Sequence, residues 1–206
     1  MITLTSDKAS KQIQVRCDET RREQGQWLAD TVAGFDGREG GLGDGVTLEI
    51  GWTVFYLRGQ PDGSLLVCEP DYQADPYKIV RADVTASLTV MVAQIDLLRV
   101  VNLTPEACRF DQRVIVRKGA LDEARVFARR QKPTKEDSGW YIGPASGVAA
   151  TPKAEDLEAI PLYELMNRRA HILFALALPA DYMVIWNGTA IEALVDPQGR
   201  NLWHAT

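Results

Sequence analysis

The chain has 206 residues, of which 46% are hydrophobic and 25% charged, as in a globular protein with a sizeable core. Its net charge of −5 argues against nucleic acid as the main partner, because binding to phosphate backbones needs a basic surface. The N-terminus lacks the basic and apolar regions of a secretory signal, and no apolar run approaches the roughly 18 to 20 residues of a membrane span. We therefore predict a cytoplasmic protein that binds neither nucleic acid nor membrane.

The net negative charge of the chain comes from its first half. Residues 1–110 hold 11 Lys and Arg against 16 Asp and Glu, whereas residues 111–206 hold 12 of each. We predict an α+β protein of two lobes, each an antiparallel sheet of hairpins packed against one or two helices. The first, acidic lobe, residues 1–110, contains a helix, a hairpin and a buried helix, and residues 111–206 form the second.

The first predicted element is an amphipathic surface helix over residues 18–35, with Asp18 as its N-cap. The glycine-rich stretch 37–45 lacks the lysine and the serine or threonine that complete a phosphate-binding loop, so we predict a mobile loop. Apolar and polar residues then alternate over 46–56, which predicts one long strand. A turn leads to a second strand at 64–68.

A helix and a loop complete the first lobe. Residues 82–102 are apolar over most of the helix circumference, which predicts a helix buried against the hairpin. Before it, residues 68–76 carry two prolines, which exclude regular structure, and three acids around Tyr72. Such a loop suits docking of a basic partner, because tyrosine offers a large contact area at low entropic cost. A solvated connection between two elements is the other interpretation.

The second lobe begins with two strands, 113–117 and 124–129, predicted to form a small hairpin. Basic residues are concentrated from here to residue 135: Arg113, Arg117, Lys118, Arg125, Arg129, Arg130, Lys132 and Lys135. Alternation places several of them on one exposed sheet face. A solvated face, or pairing with the acidic first half, explains them better than a nucleic-acid patch, because acids flank them and aromatic residues are scarce.

The stretch Asp137-Ser138-Gly139-Trp140 predicts a tight turn that leads into a strand. Asp137 can hold the turn through a hydrogen bond to the backbone, and Gly139 permits a conformation that a Cβ would exclude. Together with Val114-Ile115-Val116 and Arg129-Arg130-Gln131-Lys132-Pro133, this stretch resembles the immunity protein 33 family of bacterial polymorphic-toxin systems, formerly a domain of unknown function. The resemblance covers about residues 111–206.

The resemblance implies a binding protein that neutralises a cognate toxin by direct binding and occlusion. It implies no cofactor and no metal, and it allows a homodimer. Residues of the acidic loop and of the Asp-Ser-Gly-Trp stretch are the predicted partner-binding residues: Glu69, Asp71, Tyr72, Asp75, Asp137, Trp140 and Tyr141. A buried structural corner is the alternative role for the Asp-Ser-Gly-Trp stretch. Family members tend to continue with an acidic segment, whereas residues 143–150 here are uncharged.

The remainder predicts a helix or pair of helices at 161–178, a hairpin turning at Asn187-Gly188, and a short last strand at 201–203. The two histidines, His171 and His204, lack the neighbouring motifs of a catalytic site. Cys17, Cys68 and Cys108 are odd in number and widely spaced, which predicts buried thiols. The alternative function is a small hydrolase or ligand-binding enzyme with a carboxylate pair, and a deep pocket with converging acids would favour it.

Overall fold

The computed structural model describes residues 1–37, 40–147 and 152–204. The predicted mobile loop at 37–45 and the uncharged segment at 143–150 lie partly outside these residues. The chain folds into two compact units, Met1–Val92 and Ala93–Thr206. The division into domains at residues 110 and 111 stays a prediction.

The first unit contains one sheet in which strand pairs are antiparallel except for the second and fifth strands. Its strands are β1 (Ile2–Ser6), β2 (Ile13–Cys17), β3 (Thr47–Ile50), β4 (Thr53–Gly59), β5 (Leu65–Pro70) and β6 (Val80–Arg81). They lie in the order β1-β2-β5-β4-β3, with β6 paired to β5. The β1–β2 hairpin was missed by the sequence analysis, although Ile13, Val15 and Cys17 alternate and are all buried.

Two helices accompany this sheet, α1 (Arg22–Ala33) and α2 (Thr85–Val100), and α2 continues past Val92 into the second unit. A 3-10 turn, Glu19–Arg21, precedes α1, and the Asp18 carboxylate caps that turn by accepting a hydrogen bond from the Thr20 amide at 2.8 Å. The N-cap residue of α1 itself is Arg21 rather than the predicted Asp18. Helix α1 packs against β1 and β2, and its residues Leu28 and Val32 are fully buried.

The single long strand predicted over 46–56 is wrong. Gly51 has a φ of +66°, and the chain reverses there so that Ile50 pairs with Thr53. Cross-strand neighbours face the same side of a sheet, so the reversal shifts the buried set by one residue. Phe55 and Leu57 are buried in β4, in place of the predicted Val54 and Tyr56. The hairpin of β4 with β5 is confirmed.

The second unit contains a six-stranded sheet in the order β10-β7-β9-β8-β11-β12. Its strands are β7 (Arg113–Arg117), β8 (Arg125–Arg130), β9 (Asp137–Pro144), β10 (Leu157–Pro161), β11 (Met183–Asn187) and β12 (Ala190–Val195). The predicted β7–β8 hairpin is wrong, because β9 lies between these strands, parallel to β7 and antiparallel to β8. The β11–β12 hairpin is confirmed.

One face of this sheet is buried under a helical segment. Its inward side chains include Val114, Val126, Trp140, Val184 and Trp186, all 1% exposed or less. The covering segment is the short helix α3 (Leu165–Arg169) with a 3-10 turn on each side, Leu162–Glu164 and Ala170–Ala175, where a helix or pair of helices was predicted. Asn201 forms only an isolated bridge to Val195, so the last predicted strand is absent from the described residues.

The two mostly antiparallel sheets with their few helices confirm the predicted α+β class and its two lobes. The three cysteines are free and buried, as predicted. None of the helices in the described residues is long and apolar enough to cross a membrane.

Candidate functional site

The Asp-Ser-Gly-Trp stretch forms a corner where the chain enters β9. The Asp137 carboxylate accepts the Gly139 amide at 2.8 Å, and the Ser138 hydroxyl donates to the Arg113 carbonyl at 2.7 Å. While β7 advances two residues from Arg113 to Ile115, β9 advances four, from Asp137 to Tyr141. The corner therefore absorbs two additional residues before regular pairing begins.

Trp140 anchors this corner in the core. Its side chain is 1% exposed, and its indole nitrogen donates to the Leu176 carbonyl at 3.1 Å. The Cys108 thiol donates to the same carbonyl at 3.1 Å, and burial raises the pKa of that thiol to about 11. A side chain held in this way is a structural element of the free protein.

A buried arginine braces the corner from beneath. The Arg130 guanidinium donates to the Ser138 carbonyl at 3.1 Å and the Glu106 carbonyl at 2.6 Å, and also to the Leu178 carbonyl. It lies 5.8 Å from the centroid of the Trp140 ring, within the range of a cation–π contact. Arg130 thus links the corner to two other segments of the second unit, at Glu106 and at Leu178.

The opposite side of the sheet is what we call the outer face: the side chains of β7 to β12 that alternate with the buried ones. One row crosses all six strands, in the order Ala159, Ile115, Tyr141, Arg129, Met183 and Val195. Ala159 and Arg129 are exposed, and the other four are half-buried. The face therefore has an apolar and aromatic centre that solvent reaches.

Tyr141 lies at the middle of this face in a fixed position. Its ring centroid is 5.6 Å from that of Phe127, and a Cβ built on Gly143 would come within 2.8 Å of its hydroxyl oxygen. The Tyr141 ring therefore lies over Gly143, in the space that a side chain at position 143 would occupy. Burial raises the pKa of Tyr141, and the nearby Arg117 charge lowers it to a smaller extent.

Four arginines belong to the outer face, on β7 and β8. Arg125 forms a two-bonded pair with Glu192, with Nε at 2.9 Å from one carboxylate oxygen. Among the described residues, Arg113, Arg117 and Arg129 have no carboxylate within 4.0 Å. Three guanidiniums on the face thus lack an ionic partner within the described chain.

A cleft of about 290 Å³ opens beside the outer face. It is lined by Arg109, Asp111, Gln112, Arg113, Lys135 and Glu136. Arg109 binds Asp111, with its Nε at 3.0 Å, and the Gln112 amide group donates to the Thr134 carbonyl at 3.2 Å. The cleft continues the basic edge formed by Arg113 towards the turn that precedes the corner.

Comparison with models of protein families identifies the family of this chain. The model of the Imm33-like domain matches residues 93–197, half of the sequence. The chain belongs to the Imm33-like domain family. No curated protein and no solved structure matches it. The family prediction is thereby confirmed, and the match begins within α2, at the first residue of the second unit.

The Imm33-like domain contains three of the seven predicted partner-binding residues. Asp137 and Trp140 are parts of the corner, where Asp137 is half-buried and Trp140 is buried, and Tyr141 is at the centre of the outer face. The arginines are visible in the sequence as a group, but their arrangement around Tyr141 is not. Only the pairing of β9 with both β7 and β8 brings them together.

The other four predicted residues lie outside the Imm33-like domain, in the acidic loop. Tyr72 is 3% exposed, stacks on Trp52 at 5.1 Å between centroids, and contacts the hydroxyls of Thr53 and Ser87. Burial raises its pKa. An exposed tyrosine instead follows the loop directly: Tyr77, at 57%. Tyr77 was not among the predicted partner-binding residues, although it follows Pro76 in a stretch with the composition of a loop.

The acids of this loop differ in their environments. Glu69 is fully buried and accepts the Ser87 amide at 2.8 Å near the start of α2, and burial raises its pKa from 4.5 to about 7. Asp71 and Asp75 are half-buried and accept backbone amides two residues further on, at 3.1 Å each. All three carboxylates therefore shape the loop in the free protein.

Proposed function

We propose that this protein is an immunity protein that neutralises a cognate bacterial toxin by binding it directly and occluding it. The observation that carries the proposal is the Imm33-like domain at residues 93–197. Neutralisation by occlusion requires a complementary surface held in one conformation, and it requires no chemistry by the inhibitor.

The outer face has the properties that this function needs. Tyrosine and arginine are enriched among the residues that dominate binding energy, and this face carries Tyr141 with four arginines. The contact of Tyr141 with Phe127 and Gly143 fixes the ring before binding, which lowers the entropy lost on association. We assign Tyr141 to direct contact with the toxin, and Asp137 and Trp140 to support of the strand that carries it.

The acidic loop is a second surface in this proposal. Asp71 gives it negative charge, whereas Asp75 is paired with Lys78 at 3.1 Å, and the exposed side chains of Tyr77 and Ile79 directly after the loop add apolar area. A charged surface of this kind increases the rate of capture of an oppositely charged partner. In this proposal the toxin is captured in the bacterial cytoplasm, and neither nucleic acid nor membrane takes part.

Co-expression tests the proposal. A toxin encoded beside the gene for this protein is produced in a bacterial host, with or without the protein, and growth is recorded. We expect growth only when the protein is present, and co-purification of the two chains. Equal toxicity with and without the soluble protein would rule the proposal out for that toxin.

A further inference from the structure

The three unpaired guanidiniums of the outer face surround one apolar pair. Ile115 and Tyr141 are cross-strand neighbours at the centre of the face. Arg113 and Arg117 precede and follow Ile115 by two residues on β7, so both point to the same side of the sheet. Arg129 is the neighbour of Tyr141 on β8. An Ile–Tyr centre is thus flanked by positive charge along one strand and across the next.

This arrangement fits carboxylates carried by a protein. A guanidinium binds a carboxylate through two parallel hydrogen bonds, and such pairs are among the stronger polar contacts of proteins. Within the Imm33-like domain Arg125 already makes such a pair with Glu192 on the same face, which shows the geometry that the strand allows. Arg113, Arg117 and Arg129 are equivalent groups whose carboxylates are not supplied by the described residues.

The acids around the face argue against a polyanion as its occupant. Asp137 and Glu192 lie on the face itself, and Asp111 and Glu136 line the adjoining cleft. A continuous phosphate backbone would meet these acids as well as the arginines, and the chain as a whole carries −5. Discrete carboxylates separated by an apolar side chain can contact the arginines and avoid the acids.

We propose that the outer face binds an acidic segment of the partner protein. Its carboxylates pair with Arg113, Arg117 and Arg129, and an apolar side chain between them packs on Ile115 and Tyr141. The identity of that partner as the toxin rests on the proposed function. The preference of the face for acidic protein segments is independent of it.

A peptide titration tests the preference directly. The isotope-labelled full chain is titrated with an acetylated Glu-Leu-Glu-Glu-Leu-Glu peptide and followed by two-dimensional NMR. The matched peptide has lysine in place of each glutamate, and a single-stranded DNA oligomer is the polyanion control. We expect shifts at the amides of Ile115, Arg129 and Tyr141 with the acidic peptide alone. Shifts confined to other residues, no shifts at all, or equal shifts with DNA would overturn the proposal.

Two arginines on one strand provide the matched variants. Arg129→Gln and Arg125→Gln each remove one charge from exposed positions of β8, but of the two only Arg125 has a carboxylate partner among the described residues. We expect Arg129→Gln to weaken binding of the acidic peptide by about three- to fivefold and Arg125→Gln by less than about twofold, since a solvent-reached charge pair contributes up to about 1 kcal/mol. Equal losses for both variants would contradict the proposal.

Measurements with the toxin distinguish the proposed function from the proposed binding face. With Arg117→Glu and Arg129→Glu combined, we expect affinity for the toxin to fall about 100-fold, because like charges placed face to face cost several kcal/mol. Unchanged melting temperature is the control for folding. If the wild-type protein protects cells and this variant protects equally, the proposed function stands and the binding face is wrong. If the wild-type protein does not protect, the proposed function fails, and the peptide titration alone decides the face.

Discussion

At the scale of single residues, backbone geometry restricts which amino acid can occupy position 139 in the Asp-Ser-Gly-Trp stretch. Gly139 has a φ of +78°, and a Cβ there would overlap the carbonyl oxygen of Gln131. The Gln131 amide also donates to the Gly139 carbonyl at 2.8 Å, so the two backbone segments cannot separate freely. Both backbone conformation and space therefore require glycine.

Gly139→Ala is predicted to lower the free energy of unfolding by at least about 3 kcal/mol. The energetic cost of a left-handed backbone at alanine and the cost of the steric overlap with Gln131 add to each other. Gly119 is the matched control, because its φ is also +78° and no atom lies within 4 Å of a Cβ built there. Gly119→Ala should cost only about 1 to 2 kcal/mol. Denaturant titrations measure both variants, and equal costs would show that the Gln131 contact is unimportant.

Glu69 predicts a pH dependence of stability. Its pKa in the folded protein is about 7, above the ordinary 4.5, so the folded state holds the proton more tightly than the unfolded state. The stability that this carboxyl contributes is complete below pH 4.5 and is lost as pH rises to about 7, by up to about 3 kcal/mol. In the Glu69→Gln variant, this decrease in the free energy of unfolding between pH 4.5 and 7 should be absent.

Unfolding free energies at a series of pH values test this prediction. Glu23→Gln, on the exposed side of α1, is the control and should retain the wild-type pH profile. Burial lowers the pKa of His171, so its contribution to the pH dependence of stability has the opposite sign. The same profile for the wild type and Glu69→Gln would refute the assignment.

At the scale of elements, successive side chains of β8 point to opposite faces of the sheet, so neighbouring residues have different environments. Arg129 and Arg130 are consecutive, yet one is exposed on the outer face and the other is 1% exposed beneath the corner. The Nε and Nη1 atoms of the buried guanidinium donate to three backbone carbonyls, and its Nη2 lies 3.6 Å from the Glu106 carboxylate. The exposed one is available to a partner.

Arg130→Met should therefore cost about 3 to 5 kcal/mol of stability, because it leaves buried carbonyls without donors. Arg129→Met, one residue away, should change stability by no more than about 0.5 kcal/mol. Thermal unfolding of the two variants measures the contrast. A stable Arg130→Met protein would mean that the arginine does not brace the corner.

The elements also show what the sequence could predict. The turn chemistry of Asp137 and Gly139 is local, so both the turn and the buried tryptophan were predicted among the alternatives. The insertion of β9 between β7 and β8 was not predicted, because pairing partners distant in sequence leave no periodic signal. For the same reason, the basic strand face was visible in the sequence, but the arrangement of three arginines around Tyr141 was not.

At the scale of the whole molecule, charge is divided between the two units. Residues 1–92 hold 9 Lys and Arg against 14 Asp and Glu, whereas residues 93–206 hold 14 of each. The second unit is therefore neutral overall, and the arginines of its outer face that lack a carboxylate partner among the described residues are a local feature of that face. Each unit offers a different surface chemistry to a partner, acidic in one and locally basic in the other.

The most direct test of the central claim is a titration of purified toxin activity with this protein. An inhibitor that acts by occlusion should reduce activity in proportion to the amount added, reach completion at a fixed stoichiometry, and release active toxin when the complex is dissociated. Loss of toxin activity that progresses with time at substoichiometric protein, and that persists after separation, would instead indicate catalysis and contradict the account.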